Sequence, residues 1–67
     1  MIISINNQTK EVASDATLHF IVFSELGEKQ RGTAVAVNNK VIPKHEHEGF
    51  ILNDGDSNLI IKATQGG

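Results

Sequence analysis

Leu59-Ile60-Ile61-Lys62-Ala63-Thr64-Gln65-Gly66-Gly67 is an apolar strand that runs without a break into two glycines. Side chains alternate along an extended chain, so this strand buries one parity; Leu59 and Ile61 are expected on the core face, with Ile60 and Lys62 on the outer face. Anchoring by burial stops at Ala63. Thr64 and Gln65 are polar, and glycines lose so much backbone entropy on ordering that residues 64–67 are expected to form a flexible C-terminal tail. From Ala63 to Gly67 an extended chain reaches about 13 Å, at about 3.3 Å per residue. A tail so slender fits a channel too narrow for any Cβ. The Gly67 carboxylate is therefore the candidate reactive group, and Gly66 gives it steric access. The two glycines alone also suit a frayed terminus or a cloning remnant, so the rest of the chain must decide.

Asn53-Asp54-Gly55-Asp56, upstream of that strand, is turn composition. Before it, Lys44 to Phe50 is polar and irregular. Thr33 to Val37 reads as a buried strand, Asn38-Asn39 as a turn, and Lys40-Val41-Ile42-Pro43 as a short antiparallel return that Pro43 ends or confines to an edge. At the start of the chain, Ile2 to Ile5 is a strand, and Asn6-Asn7-Gln8 turns it into a second, Thr9 to Val12 or Ala13. Thr17 caps the one expected helix. Leu18, Ile21, Val22 and Leu26 fall on one stripe of it, and Gly27 supplies the left-handed stop before a polar loop from Glu28 to Gly32. Phe20 and Phe23 point away from that stripe, either folding over the sheet edge or forming an exposed patch. The order strand, strand, helix, strand, short strand, strand predicts an α+β fold: a mixed sheet of four to five strands packed on one helix. In such a sheet the terminal strand can lie beside the first, in parallel, in the middle of the sheet. Its base is then rigid while its tip is free.

Sixty-seven residues make a single domain, 1–67, with no room for a second core. Cysteine is absent, which removes disulfides, zinc thiolates and a thiol nucleophile. Eight acidic and six basic residues give a formal charge of -2 with no basic stripe, so nucleic acid is not an expected partner. No apolar run reaches the length of a membrane span, and the first residues lack the regions of a signal peptide; neither a membrane association nor export is expected, and the default compartment is cytoplasmic.

No constellation of catalytic groups is present. His45-Glu46-His47-Glu48 places two histidines two apart, yet it offers no third ligand from a rigid element, and a solvated polar loop accounts for it better than a metal site. His19 is read as an exposed residue on the helix flank. Asp54 and Asp56 belong to a turn and lack an acid or base partner, and the glycine spacing fits no phosphate loop. By its own residues the chain is not expected to be an enzyme.

Taken together, Thr33-Ala34-Val35-Ala36-Val37-Asn38, then Val41-Ile42-Pro43-Lys44, Asn53-Asp54-Gly55-Asp56 and the final Gly66-Gly67 resemble the ThiS family in order and spacing across about half of the chain. The resemblance implies the ubiquitin-like β-grasp fold. It also implies a sulfur carrier for thiamine (thiazole) biosynthesis: Gly67 is adenylated by a partner resembling ubiquitin-activating enzymes, converted to a thiocarboxylate, and used to deliver sulfur to thiazole synthase. No permanently bound cofactor and no metal is implied, the ATP being used by the partner enzyme. Docking of that partner is expected on the outer face of the last strand, with Ile60 and Lys62 as its candidate residues. Two positions depart from the family's pattern: His47 stands where a large aromatic is common, and Glu25 where an apolar residue is common. Two other carriers of a terminal diglycine compete with this reading. One is the small subunit of molybdopterin synthase, usually longer and often with a Pro-Pro run before the tail; the other is a ubiquitin-like protein modifier joined to lysines.

Overall fold

A computed structural model describes residues 1–27 and 32–62. The expected tail, 64–67, and most of the loop after the helix lie outside the described residues. Strands β1 (Ile2–Ile5) and β2 (Gln8–Glu11) precede helix α1 (Leu18–Leu26), which is followed by β3 (Thr33–Val37), β4 (Lys40–Val41), a 3-10 turn (Lys44–Glu46) and β5 (Ser57–Lys62). Together they form one five-stranded sheet of order β2-β1-β5-β3-β4. β1 runs parallel to β5, and every other neighbouring pair is antiparallel. One helix on a mixed sheet with the last strand at its centre is the β-grasp arrangement.

Both hairpins are two-residue turns made by the same dipeptide. Asn6 and Asn7 have φ of 51° and 68°, and Asn38 and Asn39 have φ of 52° and 71°. A type I′ turn needs φ > 0 at both central residues, which asparagine tolerates better than any residue except glycine. The helix starts and stops as its sequence dictates. Thr17 Oγ1 accepts a hydrogen bond from the Phe20 N–H at 3.1 Å, and Gly27, at φ 61°, donates its N–H to Phe23 O at 2.7 Å. Such a cap contributes about 1 kcal/mol.

Leu18, Ile21 and Val22 of α1 share one buried cluster with Ile3, Ile5, Val35 and Val37 of the sheet, and Ala16, Ile42 and Leu52 complete it. Leu26 packs on this cluster from the last turn of the helix. Phe20 and Phe23 remain 57% and 51% exposed, so of the two outcomes the aromatics form a surface patch and not a flap over the sheet edge. His19 is exposed and stacks on Phe23, with ring centroids 6.4 Å apart.

The segment after β4 is more ordered than its composition suggests. Pro43 precedes the 3-10 turn, and the chain then crosses the start of α1: His47 O accepts the His19 N–H at 3.0 Å, and Phe50 O accepts the Leu18 N–H at 2.8 Å. No helix among the described residues is long and apolar enough to cross a membrane.

Candidate functional site

The base of the tail is β5, and its anchoring begins in the turn before it. Asp56 is buried, and both of its carboxylate oxygens are taken: Oδ1 accepts from Asn38 Nδ2 at 2.9 Å and Oδ2 from the Asn53 N–H at 2.7 Å. Asp54 Oδ1 accepts the Ile2 N–H at 2.7 Å, and the Gly55 N–H returns to Ile2 O at 2.7 Å. These carboxylates tie the turn to the sheet. Neither is placed to move a proton.

Each hairpin then grips β5 through its first asparagine. The Asn38 N–H donates to Ser57 O at 2.8 Å while its Oδ1 accepts the Ser57 N–H at 2.9 Å. On the opposite edge the Asn6 N–H donates to Asn58 O at 2.9 Å and its Oδ1 accepts the Ile60 N–H at 2.8 Å. Both asparagines use one main-chain donor and one side-chain acceptor, so each extends its ladder past the point where its own strand turns away. With a net contribution of about 1 kcal/mol for each such bond, the pair holds the central strand from Ser57 to Ile60. Sequence reasoning recognised Asn6 and Asn38 as turn residues and missed them as clamps. The signal was present: the same dipeptide occurs twice, in the two hairpins whose strands β1 and β3 flank β5.

The phase of β5 is opposite to the expectation. Asn58 is 1% exposed, and Ile60 packs against the core, whereas Leu59 and Ile61 are 46% and 45% exposed on the open side. Three consecutive apolar residues satisfy either parity, so the choice was made by their neighbours. Asn58 faces inward between Ile5 and Val37, where its Nδ2 donates to Ser4 O at 3.1 Å. Its Oδ1 has no partner among the described residues. Ile60 consequently drops out of the outer face. Lys62 follows the inward parity but is exposed at the end of the strand.

What the open face does carry is an apolar strip. Ile61 pairs with Ala34, Leu59 with Ala36, and Ala36 with Val41, which is 60% exposed. The two alanines make the middle of the strip low and the larger side chains raise its sides. An aliphatic surface of this kind suits the core of a protein interface better than a small-molecule site.

The histidine pair is separated by the fold. His45 is exposed, with Nε2 3.7 Å from Glu46 Oε2, while His47 is buried and donates Nε2–H to Ile42 O at 3.0 Å. The reading of 45–48 as wholly solvated is therefore corrected at His47, whose imidazole fills an interior position and satisfies a backbone carbonyl. Glu25, the other departure from the family's pattern, reaches across to Lys10 Nζ at 3.0 Å. Among the described residues no three His, Cys, Asp or Glu side chains converge as metal ligands. Gly66 and Gly67 lie outside the described residues.

The ThiS family model matches residues 3–67, a span that takes in the diglycine. The chain is 31% identical over 67 residues to the sulfur carrier protein ThiS of Escherichia coli (strain K12), with 100% of both chains covered. Its fold is that of the thiamine biosynthesis protein (ThiS) of Geobacter metallireducens: the crystal structure matches with a TM-score of 0.84 at 17% identity over 100% of both chains. A solution structure of a thiamine biosynthesis protein from the same organism matches with a TM-score of 0.78 at 17% identity, over 100% of this chain and 88% of that one. With the family matched over residues 3–67 and a relative 31% identical from end to end, the chain belongs to the ThiS family.

Proposed function

We propose that the chain is a sulfur carrier for thiamine (thiazole) biosynthesis, working in the cytoplasm, with Gly67 as the residue that holds the sulfur. The observation that carries this reading is the family match running through Gly67, on a chain whose last described strand is held on one edge as far as Ile60 and on the other through Lys62. A carboxylate is a poor electrophile, so it must first be activated. The Gly67 carboxylate attacks ATP in the partner enzyme, pyrophosphate leaves, and an acyl adenylate forms. Hydrosulfide, or its enzymatic equivalent, then attacks the carbonyl carbon; AMP leaves, a proton goes to solvent, and the product is a thiocarboxylate. Thiazole synthase takes the sulfur from there. None of these steps asks the carrier for a base, a metal or a side-chain nucleophile; its terminal carboxylate is the only group of its own that reacts. It contributes a folded body that is recognised and a carbonyl that is presented.

Recognition by the adenylating enzyme is assigned to the open face, on Val41, Leu59 and Ile61, with Lys62 at its rim; Ile60, packed inward, supports the strand. The test is to incubate the protein with an adenylating partner, ATP and a sulfide source, and to weigh the intact chain. One oxygen is replaced by sulfur, and fragmentation places the change on the last residue. Deleting Gly67 abolishes the change while stability moves by no more than about 0.5 kcal/mol, as is usual for a terminal residue. A chain without Gly67 that still gains sulfur overturns the proposal. Recovery of the carrier in amide linkage to lysines of other proteins transfers the reading to a protein modifier.

A further inference from the structure

Along the β1 edge of β5 the hydrogen bonds follow a parallel ladder that stops one step short. The Ser4 N–H donates to Asp56 O at 3.0 Å and the Asn6 N–H to Asn58 O at 2.9 Å, two residues further along each strand. In a regular parallel ladder the next acceptor is the main-chain carbonyl of residue 6. Here Asn6 has turned into the left-handed region at φ 51°, and its side-chain Oδ1 takes the Ile60 N–H in place of that carbonyl. The next step has no strand to complete it, because residues 6 and 7 have carried the chain away into β2.

The groups left at that step are Ile60 C=O and Lys62 N–H. Asn58 and Ile60 direct their main-chain groups to the β1 side, and by the two-residue repeat of a strand Lys62 does the same. On its other edge β5 is paired with β3 through Lys62, so the strand is already held in its extended form. Among the described residues nothing accepts the Lys62 N–H or donates to Ile60 C=O on the β1 side. A carbonyl and an N–H so spaced are complementary to a single residue of another extended chain, which donates its N–H to the first and accepts the second.

We infer that this edge of Ile60–Lys62 is a strand-addition site, occupied by an extended main-chain segment of the adenylating enzyme. The inference rests on the function proposed above and gives that docking a second element beside the apolar strip. The occupant follows from position. Residues 63–67 continue directly from this edge, and they are the residues that the enzyme must align with ATP; a main chain hydrogen-bonded at Lys62 sets the direction in which they leave the domain. Side-chain recognition selects the carrier. The strand pairing fixes the register of its tail.

The direct measurement is hydrogen exchange of individual amides by NMR, in the free carrier and in its complex with a purified adenylating enzyme from the same genome. In the free carrier the Leu59 and Ile61 amides, paired to β3, are protected and the Lys62 amide exchanges fast; in the complex the Lys62 amide slows by at least tenfold. Lys62→Pro removes the N–H at a position where no strand of the fold uses it, and Lys62→Ala controls for the side chain. Lys62→Pro is expected to bind about tenfold more weakly than Lys62→Ala, as suits one charge-free hydrogen bond in an interface. Should Lys62→Pro lower the melting temperature, the exchange measurement on the unmodified chain decides alone. Unchanged exchange at Lys62 in a complex that does form overturns the strand pairing and leaves the proposed function standing. Failure of the unmodified carrier to bind the enzyme at all overturns both. Protection of Lys62 that rises with carrier concentration in the absence of enzyme assigns the edge to a second copy, and overturns the inference as well.

Discussion

The two faces of β5 do different work with nearly the same residues. Inward, Asn58 and Ile60 meet the core; outward, Leu59 and Ile61 are left half exposed beside two alanines. A strand buried on both faces would be stiffer but would offer nothing to a partner, and one that was polar outside would offer little area to desolvate. The comparison teaches that core packing and an exposed apolar surface are separated here by parity, within six residues. Core packing belongs to one set of side chains, and the proposed docking to the other.

Changes on the core side opposite β5 break that division most severely. Val22 is 1% exposed, and Val22→Asp buries an unpaired charge, so the domain is expected to unfold, with a loss of more than about 4 kcal/mol in urea denaturation. Phe20→Ser, on the exposed side of the same helix, should cost well under half of that. The anchoring turn comes next. Asp56→Ala deletes the acceptor for Asn38 Nδ2 and for the Asn53 N–H, and is expected to cost about 2 to 3 kcal/mol by the same measurement. If the loss is below about 1 kcal/mol, the turn does not hold β5.

Asn58→Leu sharpens the comparison from inside. Asn58 is buried with one amide oxygen unpartnered among the described residues, and Ser4 O, which accepts from its side chain, also lies on the β1–β5 ladder. Replacing it with an apolar side chain of similar size is expected to change the thermal midpoint little, by the equivalent of about 1 kcal/mol in either direction. A large loss would mean that the amide fixes the parity of the strand by itself. The smallest effect on stability is expected outside. Ile61→Asp should shift the unfolding free energy by less than about 1 kcal/mol, yet calorimetry should show its affinity for the adenylating enzyme falling by at least tenfold. Equal affinity for Ile61→Asp and the unmodified chain would detach the open face from docking.

Local chemistry made much of this molecule legible before its fold was known. Asn6-Asn7 and Asn38-Asn39 specify turns because few residues accept φ > 0, Thr17 and Gly27 bound the helix because its end groups need partners, and Leu18, Ile21 and Val22 name its buried side through their spacing. Each of these properties is decided within one turn of chain. The order of the elements allowed the last strand a place beside the first in parallel, where it stands, and the final Gly66-Gly67, with the preceding motifs, pointed to the family. The parity of β5 was not decided locally. Leu59-Ile60-Ile61 presents apolar residues to both faces, and which of them meets the core is set by the register of β5 against Ile5 and Val37, neighbours distant from it in sequence. His47 was read as solvated for the same reason: a charged run looks exposed until Ile42 O, five residues away, is found waiting for a donor. The unfinished ladder at Ile60 and Lys62 is the furthest from sequence of all. It exists only because one strand turns away one step before its neighbour does, and that offset is set by how β1 and β5 are placed in the sheet.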